Sequence, residues 1–180
     1  MTGKKNRKRA QNQALLRYQK QRQRNLLAKP GVHDFIVVLD SLKAGFNIPK
    51  ILRSAEIFGA HEVHLVDIGP FDPAASKGAF KNVPAKFFDD FPQCHQNLSE
   101  RGYTLFTLEA DKGETLNDAA LPEKSAFIFG HEEFGLSFNP DDYPDIKGLS
   151  IPQFGQIESL NVSIAASIVM YEYIRRLPIV

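Results

Sequence analysis

The sequence predicts an α/β domain with a mainly parallel sheet flanked by helices, preceded by a basic N-terminal arm. Short, continuous apolar runs recur along the chain, as strands buried on both faces require. Stretches of helical period separate them, which is the alternation of strand–helix–strand units. A length of 180 residues fits one domain with a core of useful size.

Taken in order, the arm occupies residues 1–33, partly helical or disordered, with a helix predicted over Gln11–Ala28. Its only apolar clusters are Ala14-Leu15-Leu16 and Leu26-Leu27, and Pro30-Gly31 marks the boundary with a body over residues 34–180. Phe35–Leu39 (FIVVL) reads as a buried strand. Ile51, Leu52, Ala55, Ile57 and Phe58 then take helical spacing, stopped by Gly59. Val63–Val66 is a second strand, Gln93–Arg101 a short helix and Tyr103–Leu108 a strand. Ala126–Gly130 and Lys147–Ile151 complete the strands, and Ser159–Arg176 is a long, largely apolar helix that Ser159 is expected to cap.

Composition is ordinary for a globular protein, 43% hydrophobic and 24% charged, and no apolar run approaches a membrane span. One cysteine, Cys94, excludes an internal disulfide framework and suits a reducing cytosol; its place on a helix face marks it as structural. The formal net charge of +1 hides an asymmetry. Ten of the 22 Lys and Arg precede Asp34, together with none of the 21 Asp and Glu. A basic arm on an acidic body is an electrostatic footprint for a polyanion, RNA or DNA. The candidate contacts are Lys4, Lys5, Arg7, Lys8, Arg9, Arg17, Arg22 and Arg24.

In open parallel sheets, ligands sit beyond the carboxyl ends of the strands. Three segments there carry unusual polar residues. Asn47-Ile-Pro-Lys-Ile-Leu-Arg53 follows the first strand, where Asn47 could simply cap a helix and Arg53 be a surface charge. Gly130-His-Glu-Glu-Phe-Gly135 follows a buried strand, and its glycines let a ligand approach the backbone. Glu132 and Glu133 there are acid/base candidates or first-turn helix residues. Ile151-Pro-Gln-Phe-Gly155 leads to Ser159-Leu-Asn-Val-Ser163, where Asn161 and Ser163 precede a buried helix and need partners. His61-Glu62-Val63-His64 is a poor metal site, because His61 and Val63 face opposite to Glu62 and His64 on a strand. No Gly-x-Gly follows the first strand, which argues against ordinary dinucleotide binding.

In this order, Asn47…Arg53, Gly130-x-Glu132-x-x-Gly135-Leu136 and Ile151-Pro-x-x-Gly155-x-x-x-Ser159-Leu-Asn-Val-Ser163 resemble the three motifs of the SpoU/TrmH-type RNA ribose methyltransferases of the SPOUT superfamily. The resemblance covers Asp34 to the C-terminus and implies a C-terminal trefoil knot. It also implies S-adenosylmethionine held by main-chain groups at Leu108, Gly130, Ile151 and Leu160, with no metal needed. The implied activity is methyl transfer to a ribose 2′-hydroxyl of tRNA or rRNA in the cytoplasm. Arg53 would stabilise the developing alkoxide and Asn47 would orient the ribose or Arg53. Glu132, Ser159 and Asn161 would hold the loops, the arginine or the nucleotide. Relatives dimerise through helices like the last one, so a homodimer is expected. The basic arm would stand in for the N-terminal RNA-binding domain of longer members. A non-catalytic RNA-binding protein on this fold, or a knotted enzyme acting on a base, are the competing readings.

Overall fold

A computed structural model describes residues 2–109, 113–157 and 159–178, with side chains from residue 6 onward. Helix α1 covers Thr2–Asn25, and α2, α3 and α4 cover Asn47–Ile57, Phe91–Glu100 and Val162–Arg175. The strands are β1 (Phe35–Asp40), β2 (Glu62–Val66), β3 (Ala85–Phe88), β4 (Thr104–Leu108), β5 (Glu114–Thr115), β6 (Ser125–Phe129) and β7 (Lys147–Ser150). They form one sheet in the order β3-β2-β1-β6-β4-β7-β5, with every pair parallel. All carboxyl ends therefore lie along one edge. The strand order reverses between β1 and β6, the place where such sheets bind ligands.

Side chains alternate between two cores, as the period of a strand demands. Phe35, Val37 and Leu39 join Val63, Leu65, Phe127 and Phe129 on the face covered by α2 and α4. Ile36, Val38, Ala126 and Ile128 point to the other face, where Phe91, Cys94 and Leu98 of α3 cover them. Burial on both faces explains the unbroken apolar run of β1.

Two strands were not anticipated. β3 is only partly buried along its length, and β5 has two residues, so neither leaves an apolar run to read. The last helix also starts later than expected. Its cap is Asn161, whose Oδ1 accepts from Ser163 N at 3.0 Å, rather than Ser159. The arm helix begins and ends earlier than the expected Gln11–Ala28, and the leucines of the arm do not seat it: Leu15, Leu16, Leu26 and Leu27 are exposed. Tyr18 is buried between the rings of Phe71 and Phe80. Asn25 is buried too, with Nδ2 donating to Phe80 O (2.5 Å) and Val83 O (2.6 Å) and Oδ1 accepting from Ala85 N (3.0 Å). A single amide thus satisfies three backbone groups at the start of β3.

Beside α3 lies a buried polar cluster. Glu62 pairs with Arg101 (2.8 Å), Lys86 (3.1 Å) and His64 Nε2 (3.0 Å), while His64 Nδ1 faces Cys94 Sγ at 3.4 Å. Glu62 and His64 share one face of β2, as the strand alternation requires. Burial opposes the charge on Glu62, but hydrogen bonds from His64, Arg101 and Lys86 outweigh it and hold the carboxyl far below its usual range. Burial lowers the His64 pKa, so its neutral ring donates to Glu62 and accepts from the thiol. The Cys94 thiol is pushed up to about 12 by the same burial, which makes it a packing residue. Both Glu62 and His64 have depressed folded-state values. Their stabilisation is present above the unfolded-state values of 6.5 for His and 4.5 for Glu, and is lost as pH falls below each. Glu62→Gln is expected to cost on the order of 2–4 kcal/mol at pH 7 and to flatten the acid limb below pH 4.5, read by denaturant unfolding across pH.

Candidate functional site

Four segments leave the carboxyl edge near the switch point, and together they enclose a cavity of 730 Å³. Leu108, Gly130, Ile151 and Leu160 all line it, as do Glu132, Ser159 and Asn161. Phe129, Leu136, Val162 and Ala165 add apolar wall, and Glu109 and His131 add polar groups. The turn over Gly130–Gly135 is closed by His131 N donating to Gly135 O (2.7 Å) and Gly135 N to His131 O (2.9 Å). A Cβ on Gly130 would come within 2.6 Å of the Gly135 backbone, so only glycine lets the turn close this tightly. The segment is a turn, not the short helix that would have given Glu132 and Glu133 a merely structural place.

A chain of hydrogen bonds ties the three motifs together. Ser163 N and Oγ donate to Asn161 Oδ1 at 3.0 and 2.6 Å. Asn161 Nδ2 donates to Asn47 Oδ1 at 3.3 Å, and Asn47 Nδ2 donates to Glu132 Oε1 at 2.6 Å. Each amide is oriented by its neighbours and the sequence of donors ends on a carboxylate. Burial works against the charge on Glu132, but hydrogen bonds from Asn47 and from the backbone N–H groups of Glu132 and Lys43 prevail and lower its pKa. Asn47 is therefore not the cap of α2; that position is Phe46, which makes no side-chain cap. Alongside, Ser54 and Ser167 share a hydrogen bond of 2.8 Å that fixes α2 against α4.

Arg53 stands apart from this chain. It lies six residues beyond Asn47, about 9 Å along the helix, and does not line the cavity. Its side chain is exposed and makes no hydrogen bond or ion pair among the described residues.

Sequence reasoning missed Asp40. This carboxylate is fully buried at the end of β1 and accepts from both Ser137 N and Ser137 Oγ at 2.6 Å. It fastens the chain leaving the Gly130–Gly135 turn to the central strand. Burial raises its pKa against the opposing bonds from Ser137. The available signal was its position: an acid ending an otherwise apolar strand at the ligand-binding edge.

The basic residues of the arm divide into two groups. Arg17 is bound through two hydrogen bonds to Asp72 (3.0 and 2.6 Å), and the Arg22 guanidinium lies 4.2 Å from the Phe87 ring centroid. Both are engaged with the body. Arg7, Lys8, Arg9 and Arg24 are exposed, and the side chains of Lys4 and Lys5 lie outside the described residues. Asp72 follows the carboxyl end of β2 whereas Ala85 opens β3, so α1 descends from the carboxyl edge to the amino edge. Among the described residues no helix is long and apolar enough to cross a membrane, and no group of His, Cys, Asp and Glu is placed to hold a metal ion.

Comparison with known proteins agrees with this geometry. Residues 34–171 match the SpoU rRNA Methylase family. The chain is 31% identical over 146 residues to the 23S rRNA (guanosine-2′-O-)-methyltransferase RlmB of Nitrosomonas europaea, covering 78% of this chain and 56% of that protein. It is 29% identical over 143 residues to the tRNA (guanosine(18)-2′-O)-methyltransferase of Thermus thermophilus, covering 77% and 73% respectively. The chain thus spans little more than half the length of the first of these relatives. Among solved structures, the SpoU methyltransferase AviRb of Streptomyces viridochromogenes in complex with AdoMet superposes with a TM-score of 0.71 at 27% identity, covering 84% of this chain and 61% of that one. The parallel sheet, the three motifs meeting at its carboxyl edge and the family match over most of the chain all lead to one assignment: the chain belongs to the SpoU rRNA methylase family.

Proposed function

We propose that this chain transfers the methyl group of S-adenosylmethionine to a ribose 2′-hydroxyl of tRNA or rRNA. The observation that carries the reading is the chain of hydrogen bonds from Asn161 through Asn47 to Glu132, which joins three segments distant in sequence and whose two ends, Asn161 and Glu132, line the cavity. The lining residues fit the cofactor. A volume of 730 Å³ lies within the range of nucleotide-sized sites. Apolar Leu108, Phe129, Ile151 and Leu160 suit a purine, Gly130 brings its main chain to the cavity wall, and Glu132 suits a cationic ligand. When bound, the cofactor supplies an already activated methyl group, so no metal is required. The expected trefoil knot is in keeping with the way residues 114–119 lie outside β7 while Arg176, beyond α4, donates to the carbonyls of Leu116, Asn117 and Ala119.

In this reading Arg53 stabilises the negative charge that develops on the ribose oxygen, since a guanidinium stays protonated and cannot act as a base. The hydroxyl proton leaves to water or to a substrate phosphate. Asn47, locked by Asn161 and Glu132, presents a fixed amide beside the nucleotide, and Ser159 forms part of the cavity wall. The free cations of α1 hold the RNA backbone. The solvent-facing apolar stripe Ile164, Ile168 and Tyr171 on α4 suits a second copy of the chain, because a helix apolar on its outer face is normally covered. A single buried thiol and the RNA substrate accord with a cytosolic protein.

The deciding experiment offers labelled S-adenosylmethionine with separated tRNA and rRNA pools. Label is expected in one pool, at a site resistant to alkaline cleavage; label on a base or in neither pool would overturn the reading. Arg53→Ala is expected to lower methyl transfer about 100-fold or more while calorimetry finds cofactor affinity unchanged. Replacing Arg7, Lys8 and Arg9 with alanine is expected to flatten the salt dependence of RNA binding by about two to three units of log–log slope. Ile164→Asp is expected to yield a monomer in analytical ultracentrifugation where the parent chain sediments as a dimer.

A further inference from the structure

Resting on that reading, we infer that Phe134 is the stacking platform for an unpaired nucleobase of the RNA, at or beside the methylated nucleotide. A phenylalanine in a tight turn next to an apolar cavity would ordinarily turn inward. Here it is 78% exposed, although its neighbours His131, Glu132, Gly135 and Leu136 all line the cavity.

The turn holds the ring in that place. Besides the two backbone bonds between His131 and Gly135, His131 Nδ1 accepts from Glu133 N (3.0 Å) and Phe134 N (3.4 Å). The imidazole is thus fixed as part of the turn, and the Phe134 ring leans on it at 4.7 Å between centroids. His131 lines the cavity, whereas Phe134, in contact with the His131 ring, does not. Glu132, two residues away, is the end of the hydrogen-bond chain from Asn161. Phe134 thus stands beside the residues that line the cavity, where an unpaired base of a nucleotide bound there could meet its exposed ring.

A flat, apolar and preorganised ring suits a nucleobase because every base offers a π face, whereas base edges need polar groups to be read. The other loop lining the cavity also displays a ring to solvent, Phe154 at 99% exposure. The cations of α1 that face solvent favour a polyanion over an apolar protein partner. Phe134 is separate from the α4 stripe assigned to a second copy.

The test uses fluorescein-labelled single-stranded RNA twelve-mers, one of oligoadenylate and one with an abasic ribose–phosphate backbone. Their binding to the full chain is read by anisotropy at low salt. Phe134→Ala is expected to weaken oligoadenylate binding about 5- to 150-fold, the span of one base–aromatic stack, and to leave the abasic strand and cofactor affinity unchanged. Phe134→Tyr and Phe134→Trp are expected to restore binding, and Phe134→Leu is not. Equal oligoadenylate binding by the parent chain and Phe134→Ala overturns the inference, as does full rescue by leucine. A parent chain that stacks oligoadenylate through Phe134 yet methylates no RNA would overturn the proposed function and leave this site standing.

Discussion

Three stretches of chain far apart in sequence are held in one place by amide–amide and amide–carboxylate hydrogen bonds, and the geometry of the cavity follows from them. Asn161 fixes the start of α4, Asn47 fixes the start of α2 and Glu132 fixes the turn after β6. Asn47 is satisfied only when both Asn161 and Glu132 are in position. Loss of one leaves its partners with unmet polar groups, a penalty larger than the worth of any single bond. The site is therefore cooperative in assembly, and the rigid sheet below it supplies the register that the bonds need.

The same logic explains what could be read from the sequence. β1, β2, β4 and β6 are buried on both faces, so apolar residues dominate them and the few polar ones, such as Glu62, His64 and Asp40, find partners. The polar residues of the motifs were visible because they interrupt apolar context where a buried group must find a partner. What stayed hidden depends on pairing rather than pattern. β3 and β5 are edge elements whose identity comes from the neighbouring strand. The capping role fell to Asn161 instead of Ser159 because the Asn161 amide also had to reach Asn47. Asp40 looked like an ordinary strand end, and only its two bonds to Ser137 reveal it as the anchor of the turn.

The arm shows a different boundary to sequence reasoning. Counting charges correctly located a basic segment, yet charge alone cannot separate cations that face solvent from those that face protein. Arg17 and Arg22 are spent on Asp72 and Phe87, and the docking is completed by Tyr18 and Asn25, neither an apolar cluster. Among the described residues, α1 is thus docked through Arg17, Tyr18, Arg22 and Asn25, while Arg7, Lys8 and Arg9 face solvent.

The pairing of β1 with β6 has a consequence for synthesis. Phe35 pairs with Ser125, ninety residues later, and Tyr173 closes over the Phe35 ring only when the chain is nearly complete. At ribosomal speed, an interval of about 5–20 s separates the emergence of the two strands. During it, β1 can pair with β2 while its other edge carries unmatched backbone groups and some of the most apolar side chains in the protein. The nascent chain passes through a sticky half-sheet, and such non-local pairing also makes folding slow. The order of strands that creates the cavity thus also sets how long the edge of β1 stays uncovered during synthesis.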